Sequence, residues 1–162
     1  MDYEQTAAAG KEAVMDILQE VKDPEVPVLS VVELGVVRDV KLKEGHVEVV
    51  ITPTYSGCPA MQAIREGIIN ALRSHGFDKA STRTVLSPPW TTDWMSEEAK
   101  GKLREYGIAP PGHTRDREDR PVACPFCDSE DTALRSEFGS TACKALYFCN
   151  ACQQPFEQFK CI

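Results

Sequence analysis

Thr52-Pro53-Thr54-Tyr55-Ser56-Gly57-Cys58-Pro59 joins a β-branched run, Val47 to Thr52, to an amphipathic run in which Met61, Ile64, Ile68 and Leu72 recur at helical spacing. The stretch reads as strand, tight loop and helix. Pro59 suits the first helical position, where a missing N–H is not felt, so Cys58 is expected at the N-cap, beside free backbone donors and the positive end of the helix dipole. That position favours the thiolate, the nucleophilic and metal-binding form of cysteine. The plainer role for Cys58 is a small residue that caps the helix beneath a loop. Gly57, which permits positive φ, and Pro53 and Pro59, which stiffen the loop on both sides, argue instead for a presented thiol.

Upstream, Thr6 to Val21 places Val14, Ile17, Leu18 and Val21 on one face of an amphipathic helix. Asp23-Pro24-Glu25-Val26-Pro27 follows as an extended loop in which carboxylates flank the first proline; Asp-Pro is also an ordinary turn opener. Val36 to Leu42 and Val47 to Thr52 alternate apolar and polar residues around Lys43-Glu44-Gly45, the pattern of a hairpin with one apolar face. His46 falls on its wet face.

Downstream, the Cys58 helix closes at His75-Gly76, and a third strand spans Ser81 to Leu86. Trp90 and Trp94 flank the residues after a Pro-Pro turn and are either a flap closing the core or an anchor for a partner. Ser96 then opens a short helix with Leu103 and Tyr106 as its apolar residues, ended by Gly107. The expected fold class is α+β, a small sheet with helices on one face over residues 1–107, then a linker at 108–121 and a small β zinc-ribbon module at 122–162. The linker carries Pro110-Pro111-Gly112, His113 and the mixed charges from Arg115 to Arg120.

Cys124-Pro125-Phe126-Cys127 and Cys149-Asn150-Ala151-Cys152 are two CxxC pairs spaced for a tetrahedral tetrathiolate site. Such a site suits zinc best and suits iron as well. Cys143 and Cys161 are left over as buried apolar residues, alternative ligands or a second thiol pair. The tally of Arg135, Lys144 and Lys160 against Asp128, Glu130, Asp131, Glu137 and Glu157 makes the ribbon acidic, the wrong footprint for nucleic acid.

The 162 residues, 42% apolar, have room for one compact domain and a small second one. A net charge of −7 speaks against a phosphate-coated partner. No apolar run approaches the ~20 residues needed to cross a bilayer, and the acidic N-terminus does not resemble a signal peptide, so a cytoplasmic protein is expected. Seven cysteines, an odd number, then point to metal or thiol chemistry rather than disulfides.

With Asp23-Pro24-Glu25, the hairpin and Thr54-Tyr55-Ser56-Gly57-Cys58-Pro59, the first domain resembles the small α+β family that includes SufT-like iron–sulfur assembly factors. Adding Trp90 to Met95, Glu137 to Ala145 and the run from Pro155 to Ile162, nearly the whole chain resembles the D-subunit family of the bacterial phenylacetyl-CoA epoxidase, a multicomponent oxygenase of phenylacetate breakdown. The resemblance implies partnership with the oxygenase and reductase subunits of a di-iron enzyme that uses O2 and NADPH. This chain has no Glu-x-x-His pattern for the di-iron centre and no GxGxxG loop for a dinucleotide. Three roles follow: a maturation factor in which Cys58, with Asp23 and Glu25 beside it by family geometry, transiently holds iron or an iron–sulfur cluster; a stable docking subunit that uses the ribbon, Trp90 and Trp94; or a thiol enzyme, for which no histidine is placed as base.

Overall fold

The structure, a computed structural model, describes residues 3–112 and 121–162; His113 and the charges from Arg115 to Arg120 lie outside the described residues. It consists of two compact units, residues 1–90 and 91–162.

In the first unit, α1 spans Tyr3–Leu18. The helix was expected to run to Val21, but Glu20 and Val21 donate to the carbonyls three residues back, Ile17 and Leu18, so the chain tightens into a turn. Val21 still buries its side chain. Strands β1 (Val37–Lys43) and β2 (His46–Ile51) pair antiparallel through a turn in which Glu44 and Gly45 both have positive φ, 50° and 76°. Positive φ at both turn residues matches the right-handed twist of the strands, which is why a two-residue connection closes here. Helix α2 (Ala60–Ser74) then carries the chain to β3 (Ala80–Thr84), parallel to β2, giving the order β1-β2-β3. Val14 and Leu18 from α1, Ile64, Ile68 and Leu72 from α2, and Val47, Val49 and Ile51 from β2 are almost wholly buried and form the core beneath the helices. At Gly10 an added Cβ would lie 2.9 Å from Leu42 Cδ1, so a side chain there would require the Leu42 tip to move aside where α1 meets β1.

Trp90 closes this unit. It is 4% exposed and its indole N–H donates to the Leu34 carbonyl at 3.0 Å, which makes it the flap of the two alternatives. Trp94 belongs to the second unit and is half-buried.

The second unit begins well before the boundary expected after Gly107. A 3₁₀ turn at Thr92–Trp94 precedes α3 (Glu97–Glu105), capped by Ser96 Oγ, which accepts from the Ala99 N–H at 3.0 Å. Leu103 is buried as expected, but Tyr106 is 57% exposed. Ile108–Ala109, read as the start of a linker, is β4 and pairs in parallel with β7. With β5 (Thr132–Ser136), β6 (Lys144–Cys149) and β7 (Pro155–Phe159) it forms one sheet in the order β4-β7-β6-β5. Composition placed the boundary at the proline-rich stretch, whereas strand pairing and the hydrogen bonds from Thr91 Oγ1 (2.7 Å) and Thr92 N (3.1 Å) to the Ile162 carbonyl draw residues 91–109 into the ribbon.

Candidate functional site

Each pair of ribbon cysteines lies on a sharp turn, and the two turns are alike. Cys124 O accepts from Asp128 N at 2.9 Å, and Asp128 has a φ of 64°; the equivalent residue four beyond Cys149 is Gln153, with a φ of 58°. Left-handed backbone costs a non-glycine residue about 1–2 kcal/mol, so its repetition at both turns points to a geometry imposed by what the turns enclose. Cys149 N donates to Gln154 O at 2.9 Å, and Cys152 N points at Cys149 Sγ from 3.5 Å. The four sulfurs of Cys124, Cys127, Cys149 and Cys152 all lie within 4.8 Å of one another. Across the turns, Cys124 and Cys152 are 3.7 Å apart and Cys127 and Cys149 are 3.6 Å apart.

A tetrahedral metal with sulfur ligands at about 2.3 Å separates those ligands by about 3.8 Å, so the four thiols already stand at the corners a metal requires. Cys124 and Cys149 are fully buried with Ala109 and Phe156, Cys152 is half-buried, and Cys127 is exposed. The thiols differ in acidity: a hydrogen bond from the Cys152 N–H draws Cys149 down to about 7, while burial drives Cys152 up to about 12. A cation held here would be bound by thiolates, so its uptake would release protons. Four protein ligands would close the coordination shell of a bound metal, the arrangement of a structural rather than a catalytic site.

Cys58 occupies a different setting. It is half-buried, and the helix starts one residue later than expected, with Pro59 at the N-cap (φ −68°) and no side chain capping it. The Cys58 backbone still takes part in the turn: its N–H donates to Tyr55 O and its carbonyl accepts from Met61 N, both at 3.2 Å. Gly57 has a φ of 76° and open space where a Cβ would stand, while Ser56, Gly57 and Pro59 are exposed, so the loop leaves the thiol at the surface of the fold. Asp23 is 5% exposed, and its Oδ1 accepts from Glu25 N at 2.8 Å and Val26 N at 2.9 Å. This carboxylate oxygen organises the turn around Pro24. Glu25 is half-buried. Among the described residues, Asp23, Glu25 and Cys58 are not gathered into a ligand cluster as the four ribbon cysteines are.

The leftover thiols have separate settings too. Cys143 is buried with its sulfur 3.1 Å from Thr141 Oγ1, and Cys161 is half-buried with its sulfur 3.0 Å from Gly112 O; neither belongs to the four-sulfur cluster. His46 is exposed and bonds Ser81 Oγ at 2.7 Å, while His75 Nδ1 meets Ala71 O at 2.9 Å at the end of α2. Two features had no signal in the sequence. Among the described residues, Thr52 Oγ1 is the buried side-chain polar atom without a hydrogen bond. Lys144, counted as a surface charge, is 4% exposed, with Nζ 3.5 Å from Glu157 Oε2.

Comparison with known proteins divides along the same lines. Residues 11–81 match a family described as iron-sulfur cluster assembly protein, and residues 108–160 match the PaaD zinc beta ribbon domain. Over 149 residues the chain is 50% identical to a protein of Escherichia coli (strain K12) provisionally named as the D subunit of 1,2-phenylacetyl-CoA epoxidase, covering 90% of each. It is 39% identical over 92 residues to an Fe-S protein maturation auxiliary factor of Bacillus subtilis (strain 168), covering 56% of this chain and 89% of that protein. A solved domain of unknown function, DUF59, from Bacillus anthracis is similar with a TM-score of 0.58 and 28% identity, covering 62% of this chain and 96% of that one. A conserved hypothetical protein of Thermotoga maritima is similar with a TM-score of 0.50 and 33% identity, covering 57% and 92%. No helix among the described residues is long and apolar enough to cross a membrane.

Proposed function

Because the chain belongs to the family of the Escherichia coli phenylacetyl-CoA epoxidase D subunit, we propose that it is an accessory component of a 1,2-phenylacetyl-CoA epoxidase that assists iron or iron–sulfur cluster maturation of the oxygenase or reductase through Cys58. The reading is carried by one observation: a domain matching iron–sulfur assembly proteins presents a half-buried cysteine on the loop before α2, and the same chain continues into a four-thiol ribbon. The cargo, iron or a cluster, is soft enough to be taken by a thiolate and must be let go again. A lone presented cysteine suits that task better than a closed shell does. Asp23 and Glu25 are assigned to the same transient site on the family resemblance alone; in the fold the Asp23 carboxylate organises the turn around Pro24. The ribbon holds zinc through Cys124, Cys127, Cys149 and Cys152 and supplies a fixed surface.

A second reading is a stable docking subunit without a maturation role. The burial of Trp90 takes that residue out of such an interface and leaves the contact to the ribbon. The two readings separate when epoxidase is purified from cells making this chain intact or as Cys58→Ala. Iron-poor, inactive epoxidase from the variant cells is the expected outcome; full iron and full activity would reduce Cys58 to a structural residue and leave docking as the function.

A further inference from the structure

Single exposed apolar side chains are ordinary on protein surfaces, and Leu86 and Leu134 are exposed in that way. Phe138, 64% exposed between β5 and β6, differs in how firmly it is held. Ser136 Oγ donates to the Phe138 carbonyl at 2.8 Å and accepts from the Phe138 N–H at 3.2 Å. On its far side, Gly139 N donates to Lys144 O at 2.7 Å, and Ser140 gives its N–H and its hydroxyl to Glu157 at 2.5 and 3.1 Å. Glu157 in turn faces the buried Lys144 ammonium. A buried lysine is expensive to desolvate and is weak support for stability in itself; here its pair with Glu157 fixes the loop that carries Phe138. Gly139 fits because a Cβ there would stand 2.5 Å from Glu157 Oε1.

The ring also carries a charge. Lys160 Nζ sits 4.4 Å from the Phe138 ring centroid and donates to Glu137 O at 2.6 Å. Among the described residues Lys160 has no carboxylate partner, although the chain is acidic. An exposed aromatic side chain on a backbone already fixed by hydrogen bonds loses less entropy on association than one on a loose loop, which is the property of an interface anchor. An ammonium that keeps donors free beside it asks for an acceptor on the other side. We propose that Phe138 and Lys160 form a docking knob that enters an apolar pocket edged by a carboxylate on a protein partner. On the reading above, which this inference rests on, that partner is a component of the epoxidase.

The test is co-purification of the epoxidase components with the N-terminally tagged full chain, unaltered and as Phe138→Ala, Gly139→Ala, Lys160→Met and Leu86→Ala, with zinc content and circular dichroism recorded for each. The unaltered chain and Leu86→Ala, which alters an exposed apolar residue of the first unit, are expected to retain the partner. Phe138→Ala and Gly139→Ala are expected to lose it about tenfold or more with zinc retained, and Lys160→Met to weaken it and flatten its salt dependence. Phe138→Ala that keeps the partner as well as the unaltered chain overturns the docking knob while leaving the epoxidase association standing. If the unaltered chain retains no component, the association itself is wrong and the assignment of the knob falls with it.

Discussion

Arg104, in the last turn of α3, forms an ion pair with Asp128, the residue that turns the first cysteine knuckle. Beside that pair Phe126 lies against Gly107, where a Cβ would meet Cε1 at 3.1 Å. The end of the helix and the metal-binding turn therefore brace each other. Both charges are largely exposed, so Arg104→Ala should cost no more than about 1 kcal/mol. Gly107→Ala places a side chain at a φ of 91° and against Phe126, and should cost about 1–3 kcal/mol. Urea unfolding of the two variants gives the order; a costlier Arg104→Ala would make the brace electrostatic rather than steric.

Metal removal should act on one unit. Structural zinc sites contribute roughly 10 kcal/mol or more to folding, and all four ribbon thiols belong to residues 91–162. Chelation, or Cys149→Ser, is expected to abolish stoichiometric zinc and to melt the ribbon strands while residues 1–90 keep a cooperative thermal transition. Metal analysis and calorimetry read the two outcomes; a single transition that survives chelation unchanged would contradict a structural role for the metal.

Trp90→Phe retains most of the apolar bulk and loses the hydrogen bond to Leu34 O. A loss of about 1–2 kcal/mol is expected from the unpaired carbonyl, and Trp90→Ala should lose about 3–5 kcal/mol through the cavity it leaves. Were Trp90 an interface anchor, truncation would leave the free protein's stability nearly untouched in the same denaturation experiment.

Thr52→Val should be neutral or stabilising, because it removes a buried hydroxyl that finds no partner among the described residues. Destabilisation in thermal or urea unfolding would place an ordered water or another bound group at that oxygen.

Asp39 offers the pH test. The hydrogen bond from Lys11 Nζ, at 2.5 Å, outweighs partial burial and holds the Asp39 carboxyl below 3.8. A depressed acid stabilises the fold above its unfolded value, about 3.9, and that contribution is lost as pH falls through the lower folded value. With both side chains 41% exposed or more, the effect on stability is at most about 1 kcal/mol. Carboxyl NMR titration should show Asp39 moving upward in Lys11→Met; an unchanged titration would mean the pair does not persist in solution.

Legibility followed the range of the interaction that fixes each feature. The hairpin, α2 and both CxxC turns were written in local periodicity and spacing, and each stands where the residues put it, within a residue or two at the ends. Cys58 moved from the N-cap to the residue before it: Pro59, with its φ fixed by the ring at −68°, is the residue that caps α2. The boundary at Trp90 was not legible: β4 is only Ile108–Ala109, and its partner Glu157–Gln158 lies far along the chain. Lys144 reads as a surface charge for the same reason, since its burial depends on β7. Nor could spacing decide between flap and anchor for Trp90, because the deciding acceptor, Leu34 O, is distant in sequence.

The hydrogen bonds between Thr91 and Ile162 bring the first and last residues of the second unit side by side. A module whose ends meet is topologically a cassette: it can be spliced into a host loop without stretching either strand of the junction. Recombination that carried α3 and β4 along with the cysteines would transplant a finished part, whereas a break after Gly107 would move the metal ligands and leave behind the helix that steadies them.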